Sequence, residues 1–217
     1  MITTIIFDMD GVIVDSEPVH QRLEHEMFDS LGLTISEEEH RSYVGTSAVD
    51  MWTMISKKHH LTKSPEELLL LGRKQYWAAL DNGEVPLVHG VKSIISLFYE
   101  LGYTLQVASS ATRPTVDKVL AHFQLDAYFS HRIGGNEVTK SKPEPEIFLR
   151  AAQQSGSAPA CCLVIEDSTN GVKAALQAGM HCIGYANSGT GDQDLSAADL
   201  VVHDLLAISP EIIAKIH

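Results

Sequence analysis

The stretch Thr3-Thr4-Ile5-Ile6-Phe7-Asp8-Met9-Asp10-Gly11 decides how the rest of the chain is read. Residues 3–7 are all β-branched or aromatic, and the run stops at Asp-Met-Asp-Gly. That pattern reads as a short buried strand ending in a turn. Two carboxylates at i and i+2 leaving a strand can point to the same side. One can attack as a nucleophile while the other handles a proton. Gly11 permits a sharp departure from the strand. The plain alternative is a turn without chemistry. A calcium EF-hand loop does not fit, because Ile13 stands where that loop needs Gly and Val12 where it needs an oxygen ligand.

Working outward, further strand patterns fall at residues 104–108, 161–165, 181–184 and 200–202. Helical patterns lie between them at 91–101, 114–123, 145–155 and 170–178. In the first, Val91, Ile94, Ile95 and Phe98 share one stripe, and Gly179 stands just past the last. Strand and helix therefore alternate from about residue 90, which predicts right-handed crossovers and a mostly parallel sheet covered on both faces. Residues 17–84 show no strand pattern, only helical ones at 19–31, 48–58 and 65–80. The expected architecture is a Rossmann-like, three-layer α/β core from residues 1–16 and 85–217, with a smaller all-α domain, residues 17–84, inserted after the first strand.

Composition sets limits. The chain has 217 residues, 44% hydrophobic and 20% charged, with a net charge of −12, so it is of ordinary globular type. That charge argues against nucleic acid or an anionic membrane as partner. No window approaches the roughly 18 apolar residues of a membrane span. The N-terminus lacks a basic region, and Asp8 interrupts its apolar run too early for a signal peptide. Cys161, Cys162 and Cys182 are odd in number, and none is spaced like a zinc site. They are expected to be reduced, in a cytoplasmic protein. A monomer is expected. The polar stretch 187–196 reads as a surface loop.

Three more clusters follow predicted strands or open predicted helices. Ser109-Ser110-Ala111-Thr112 could offer hydroxyl and amide donors to a phosphate, or simply cap a helix. Lys140-Ser141-Lys142-Pro143-Glu144-Pro145 could hold a fixed positive charge on a rigid turn, or be a solvated loop. Glu166-Asp167-Ser168-Thr169-Asn170-Gly171 pairs two acids at a strand end, which suits Mg²⁺, while Ser168 or Thr169 can cap the next helix. In open α/β sheets ligands bind at that edge.

The order and spacing of all four clusters carry a resemblance. The sequence resembles the haloacid dehalogenase superfamily of phosphotransferases, in the branch with a small helical cap after the first strand. That branch includes sugar-phosphate phosphatases and beta-phosphoglucomutase. The matching stretches are residues 7–18, 108–110, 141–145 and 165–171. The resemblance implies that Asp8 attacks phosphorus to form an aspartyl-phosphate, and that Asp10 serves as general acid and then base. It implies that Ser109, Ser110 and Lys142 bind the phosphoryl group. It implies a Mg²⁺ ion held by Asp8, the main-chain carbonyl of Asp10, Glu166 and Asp167. Dehalogenases of the superfamily lack the second acid, which is present here as Asp10.

In the cap, the resemblance points to His20 as the place of a His that assists the acid/base Asp, to Lys74 as a residue facing the sugar, and to Gly45-Thr46-Ser47 as the loop that reaches into the site; the plain alternatives for His20 and Lys74 are helix-surface residues. In the mutase that loop continues with an Arg that grips a second phosphate. Here Ala48 and Val49 follow. Arg is the natural fork for a phosphate. The expected activity is therefore Mg²⁺-dependent hydrolysis of a small phosphorylated metabolite such as a sugar phosphate, with beta-phosphoglucomutase as the alternative.

Overall fold

A computed structural model describes residues 1–43 and 48–216. Its elements run β1 (Thr4–Phe7), α1 (Glu17–Ser30), α2 (Glu37–Tyr43), α3 (Ala48–Lys58), α4 (Pro65–Asp81), α5 (Val91–Glu100), β2 (Thr104–Ser109) and α6 (Arg113–His122). They continue with β3 (His131–Gly134), α7 (Glu146–Ser155), β4 (Cys162–Glu166), α8 (Thr169–Gln177), β5 (His181–Tyr185), β6 (Leu200–Val202) and α9 (Pro210–Ile213). Short 3-10 turns join several of them. The chain divides into two compact units, Met1–Glu17 with Val85–His217, and Pro18–Glu84.

In the first unit six strands form one sheet in the order β3-β2-β1-β4-β5-β6, every pair parallel. The fold is Rossmann-like α/β. The chain lays strands to one side of β1 and then returns to its other side with β4. That reversal opens a crevice beyond the carboxyl ends of β1 and β4. Register puts Phe7 beside both Val107 and Ile165, so Asp8, Ser109 and Glu166 emerge along one edge.

Burial explains the sequence of the strands. A parallel sheet is covered on both faces, so its strands read as continuous apolar runs. Ile6, Ala108, Cys162 and Val164 share a core with Ile147, Phe148, Ala151 and Ala152 of α7 and Val172, Ala174 and Ala175 of α8. By strand alternation Ile5, Phe7, Leu105, Val107, Leu163 and Ile165 point to the opposite face, and all are buried. The four-residue stripe of α5 foreseen in the sequence is buried too. The pattern at 131–134 predicts no strand, yet β3 forms there as the edge of the sheet. Its His-Arg-Ile-Gly sequence carries one apolar side chain, too little for a periodic signal.

The second unit is all helical among its described residues. Met27, Phe28, Tyr43, Met51, Trp52, Ile55 and Leu68 form its separate core. Helix α4 starts from a capping box, in which the Ser64 hydroxyl accepts from Glu67 N and Glu67 Oε2 accepts from Ser64 N.

Candidate active site

The turn after β1 is built by hydrogen bonds back to Met9. Ile13 N and Val14 N both donate to Met9 O, while Gly11 N donates to Val14 O at 2.7 Å. Gly11 sits at φ +79, and a Cβ there would stand 2.0 Å from Asp167 Oδ2. Both facts require glycine. The turn delivers Asp8, buried, and Asp10, partly exposed. The Ser16 hydroxyl, fully buried, donates to Asp10 Oδ1 at 2.6 Å and fixes that carboxyl group.

Lys142 reaches the same point from the loop before α7. Glu146 holds that loop by accepting from Thr139 N and Lys140 N, each at 2.9 Å. The Lys142 side chain is 5% exposed. Its Nζ donates to Asp8 Oδ1 at 2.6 Å, to Glu166 Oε1 at 2.5 Å and to Ala108 O at 3.3 Å. An ammonium has three protons, so all are engaged. The ring of Phe148 lies below it, 4.9 Å from Nζ to the ring centre, in cation–π reach.

Glu166 ends β4 and is 1% exposed. Besides Lys142, it accepts from Ser168 N and Ser168 Oγ, both at 2.9 Å on Oε2. Ser168 also caps α8 by accepting from Gly171 N at 3.0 Å. A Cβ on Gly171 would stand 1.8 Å from the Glu166 carboxyl carbon, so glycine makes the room for that carboxylate. Ser109 is buried at the end of β2, and its Oγ accepts from Ala111 N at 3.0 Å. That leaves the hydroxyl proton to donate to a ligand. Ser110 is exposed.

The structure thus brings Asp8, Lys142 and Glu166 into direct contact, with Asp167 against Gly11 and Ser109 on the same sheet edge. His20 and Lys74 belong to the helical unit. There His20 stacks on Tyr76 with ring centres 4.6 Å apart, and Lys74 is exposed. Gly45, Thr46 and Ser47 lie outside the described residues. Ser16, Ser168 and Phe148 are supporting residues that the motifs did not single out for this role.

The electrostatics follow from crowding acids in a buried place. Burial raises the pKa of Asp8 to about 7, the Lys142 ammonium works against that rise, and Glu166 and Asp10 add to it. Burial likewise holds Asp167 well above the ordinary carboxylate range, with Glu166 and Asp8 adding to it. Burial also works against the charged form of Lys142, but Asp8 and Glu166 outweigh it and hold its pKa above the usual value. The site is short of positive charge.

A hard divalent cation fits that shortage. Every donor here is an oxygen, as Mg²⁺ requires. Among the described residues no three His, Cys, Asp or Glu side chains form a ready cage. Mg²⁺ needs none, since one or two carboxylates, water and a phosphate oxygen suffice. Glu166 stands at the same point, with Oε1 accepting from Lys142 and Oε2 from Ser168, and each carboxylate oxygen has a further lone pair for a cation. A cavity of about 220 Å³ lined by Arg113, Phe129, Ser130, His131, Arg132 and Gln154 lies away from these residues. Arg113 and Arg132 are paired there with Asp117, and it carries no part of this chemistry.

A buried Asp-Lys-Glu contact at the switch point of a parallel sheet, with a second Asp two residues on, defines a class of protein. The chain belongs to the haloacid dehalogenase-like hydrolase family, whose model matches residues 5–185. Within it the chain stands in the phosphatase branch. It is 31% identical to "Protein CbbY" of Rhodobacter capsulatus over 98% of this chain and 97% of that one. It is 31% identical to hexitol phosphatase B of Escherichia coli over 84% of this chain and 82% of that one. The solved beta-phosphoglucomutase of Clostridium difficile superposes with a TM-score of 0.82 at 25% identity, covering 99% of this chain and 96% of the other. Among the described residues no helix is long and apolar enough to cross a membrane.

Proposed function

We propose that this phosphatase hydrolyses a small sugar phosphate with Mg²⁺, through an aspartyl-phosphate at Asp8. The observation that carries the reading is the contact of Lys142 with Asp8 and Glu166, beside an Asp10 held by Ser16. A carboxylate oxygen of Asp8 attacks phosphorus. The ester P–O bond breaks, and the leaving oxygen takes the bond's electron pair and a proton from Asp10. Asp10, now ionised, takes a proton from water as that water attacks phosphorus. The bond between phosphorus and Asp8 then breaks and frees phosphate. One carboxyl group serving as acid and then base suits two steps that mirror each other. Splitting the displacement in this way is the benefit of covalent catalysis.

Lys142 offsets part of the charge of Asp8 and Glu166, and a phosphoryl oxygen takes a share of its protons on binding. The Ser109 hydroxyl donates to a second phosphoryl oxygen, and the Ser110 amide lies at the same turn. Asp8, the Asp10 carbonyl, Glu166 and Asp167 would hold Mg²⁺. The ion supplies charge stabilisation of the transferring phosphoryl group when bound. Likeness to a hexitol phosphatase supports a phosphorylated sugar or sugar alcohol as substrate.

The test is phosphate release from a panel of sugar phosphates and p-nitrophenyl phosphate, with MgCl₂ and with EDTA. Release only with Mg²⁺, and its loss in Asp8→Asn, are expected. Silence on every ester would overturn the reading. Likeness to the mutase supports the second reading. It predicts glucose 6-phosphate from beta-glucose 1-phosphate faster than free phosphate appears.

A further inference from the structure

The polar loop between β5 and β6 reads in the sequence as mere surface. In the structure it is bonded to both acid-bearing turns. Asn187 is partly buried. Its Nδ2 donates to Gly11 O at 2.9 Å, and its Oδ1 accepts from Gly189 N at 2.8 Å. Thr190 Oγ1 donates to Asn187 O at 3.1 Å, and Gln193 Nε2 donates to Thr190 O at 3.3 Å. At the far end Gln193 Oε1 accepts from Thr169 N at 3.0 Å, and Thr169 Oγ1 accepts from Asp194 N at 2.8 Å. Thr169 opens α8, two residues after Asp167.

One end of the loop therefore grips the turn that carries Asp10, and the other grips the helix that follows Asp167. The two turns nearly touch. A Cβ on Gly11 would meet Asp167 Oδ2 at 2.0 Å and the Thr190 methyl group at 3.0 Å. The loop itself is packed closely, since a Cβ on Gly189 would meet Asp15 Oδ1 at 2.9 Å. We propose that Asn187 is a positioning residue, and that the 187–194 loop is a strap fixing the spacing between the Asp10–Gly11 turn and Asp167. Asn187 acts through the Gly11 carbonyl and touches no reacting atom. The role rests on the phosphatase reading, in which those two turns share a cation and a phosphoryl group. A misplacement of about 1 Å there costs on the order of 100-fold in rate.

A double-mutant cycle separates a strap from local loop structure, because residues that act as one unit give non-additive effects. Asn187→Ser keeps a hydroxyl for Gly189 N but is too short to reach Gly11. Gln193→Ala with Thr169→Val releases the α8 end. Turnover of p-nitrophenyl phosphate and equilibrium binding of MgCl₂ by calorimetry are both measured, with thermal midpoints to confirm folding. Releasing either end is expected to lower kcat about ten-fold with KM within about two-fold. Mg²⁺ binding should weaken alongside. Releasing both ends should lose little beyond the worse single change, because a strap cut once is already slack. Wild-type values in Asn187→Ser, or losses that multiply when both ends are released, would overturn the proposal. If the parent protein released no phosphate from any ester, the phosphatase reading would fail. The calorimetric cycle would still decide on the strap.

Discussion

Lys142 is the residue on which the site turns. Its ammonium is buried among two carboxylates, a carbonyl and the Phe148 ring. Removing one member of a buried ion cluster leaves charge uncompensated, at a cost of about 3–5 kcal/mol. Lys142→Met keeps most of the stem and should lower the urea-unfolding free energy by about that amount, with phosphate release abolished. An unchanged unfolding midpoint would show that Asp8 and Glu166 do not depend on it. Asp8, Lys142 and Glu166, which the structure brings together, stood out in the sequence through the order of the four motifs and the resemblance it carries, since the lysine alone reads equally as a solvated loop. Their supports did not stand out. Asn187 meets Gly11 across 176 positions of chain, and Gly171 makes room for a carboxylate through a contact that no periodicity announces.

At the scale of elements, α2 and the segment after α3 meet at Glu39. Its Oε1 accepts from Tyr43 Oη and His59 Nε2 at 2.8 Å each, and Lys58 Nζ lies at 3.0 Å. Hydrogen bonds from His59, Lys58 and Tyr43, in that order of weight, lower its pKa from 4.5 to about 2. A carboxylate with a depressed folded-state pKa stabilises above its unfolded value. That contribution is lost as pH falls through the folded value. Stability of the helical unit, followed by tryptophan fluorescence, should therefore decline between pH 4.5 and about 2, and Glu39→Gln should flatten that decline. Equal pH profiles in the two proteins would contradict the assignment. Helix α2 itself was not legible, because Glu-Glu-Glu-His-Arg offers no apolar stripe. Strand β3 escaped for a similar reason, whereas β1, β2, β4, β5 and the longer helices declared themselves through apolar runs and stripes.

For the whole molecule, two features of the sequence take on meaning from the structure. The chain divides into units with separate cores, and both tryptophans, Trp52 and Trp77, fall in Pro18–Glu84. Fluorescence thus reports that unit alone, while far-ultraviolet circular dichroism reports both. Multi-unit chains depart from two-state unfolding. Urea transitions followed by the two signals should not coincide, and superimposable curves would show that the units unfold as one. The second feature is the net charge of −12. It argues for a surface that repels polyanions, yet on the proposed reading the acids gathered at the sheet edge serve a site that takes a phosphate ester. On that reading Lys142 and a bound Mg²⁺ would offset most of the local negative charge.

The central claim is that Asp8 carries the phosphoryl group, and trapping tests it most directly. Borohydride reduces an acyl phosphate to an alcohol but leaves a free carboxylate untouched. Added while the enzyme turns over a sugar phosphate with Mg²⁺, it should convert Asp8 to homoserine, detected by peptide mass mapping, and only when substrate is present. Phosphate release with Asp8 recovered unchanged, or reduction at a different residue, would contradict the account.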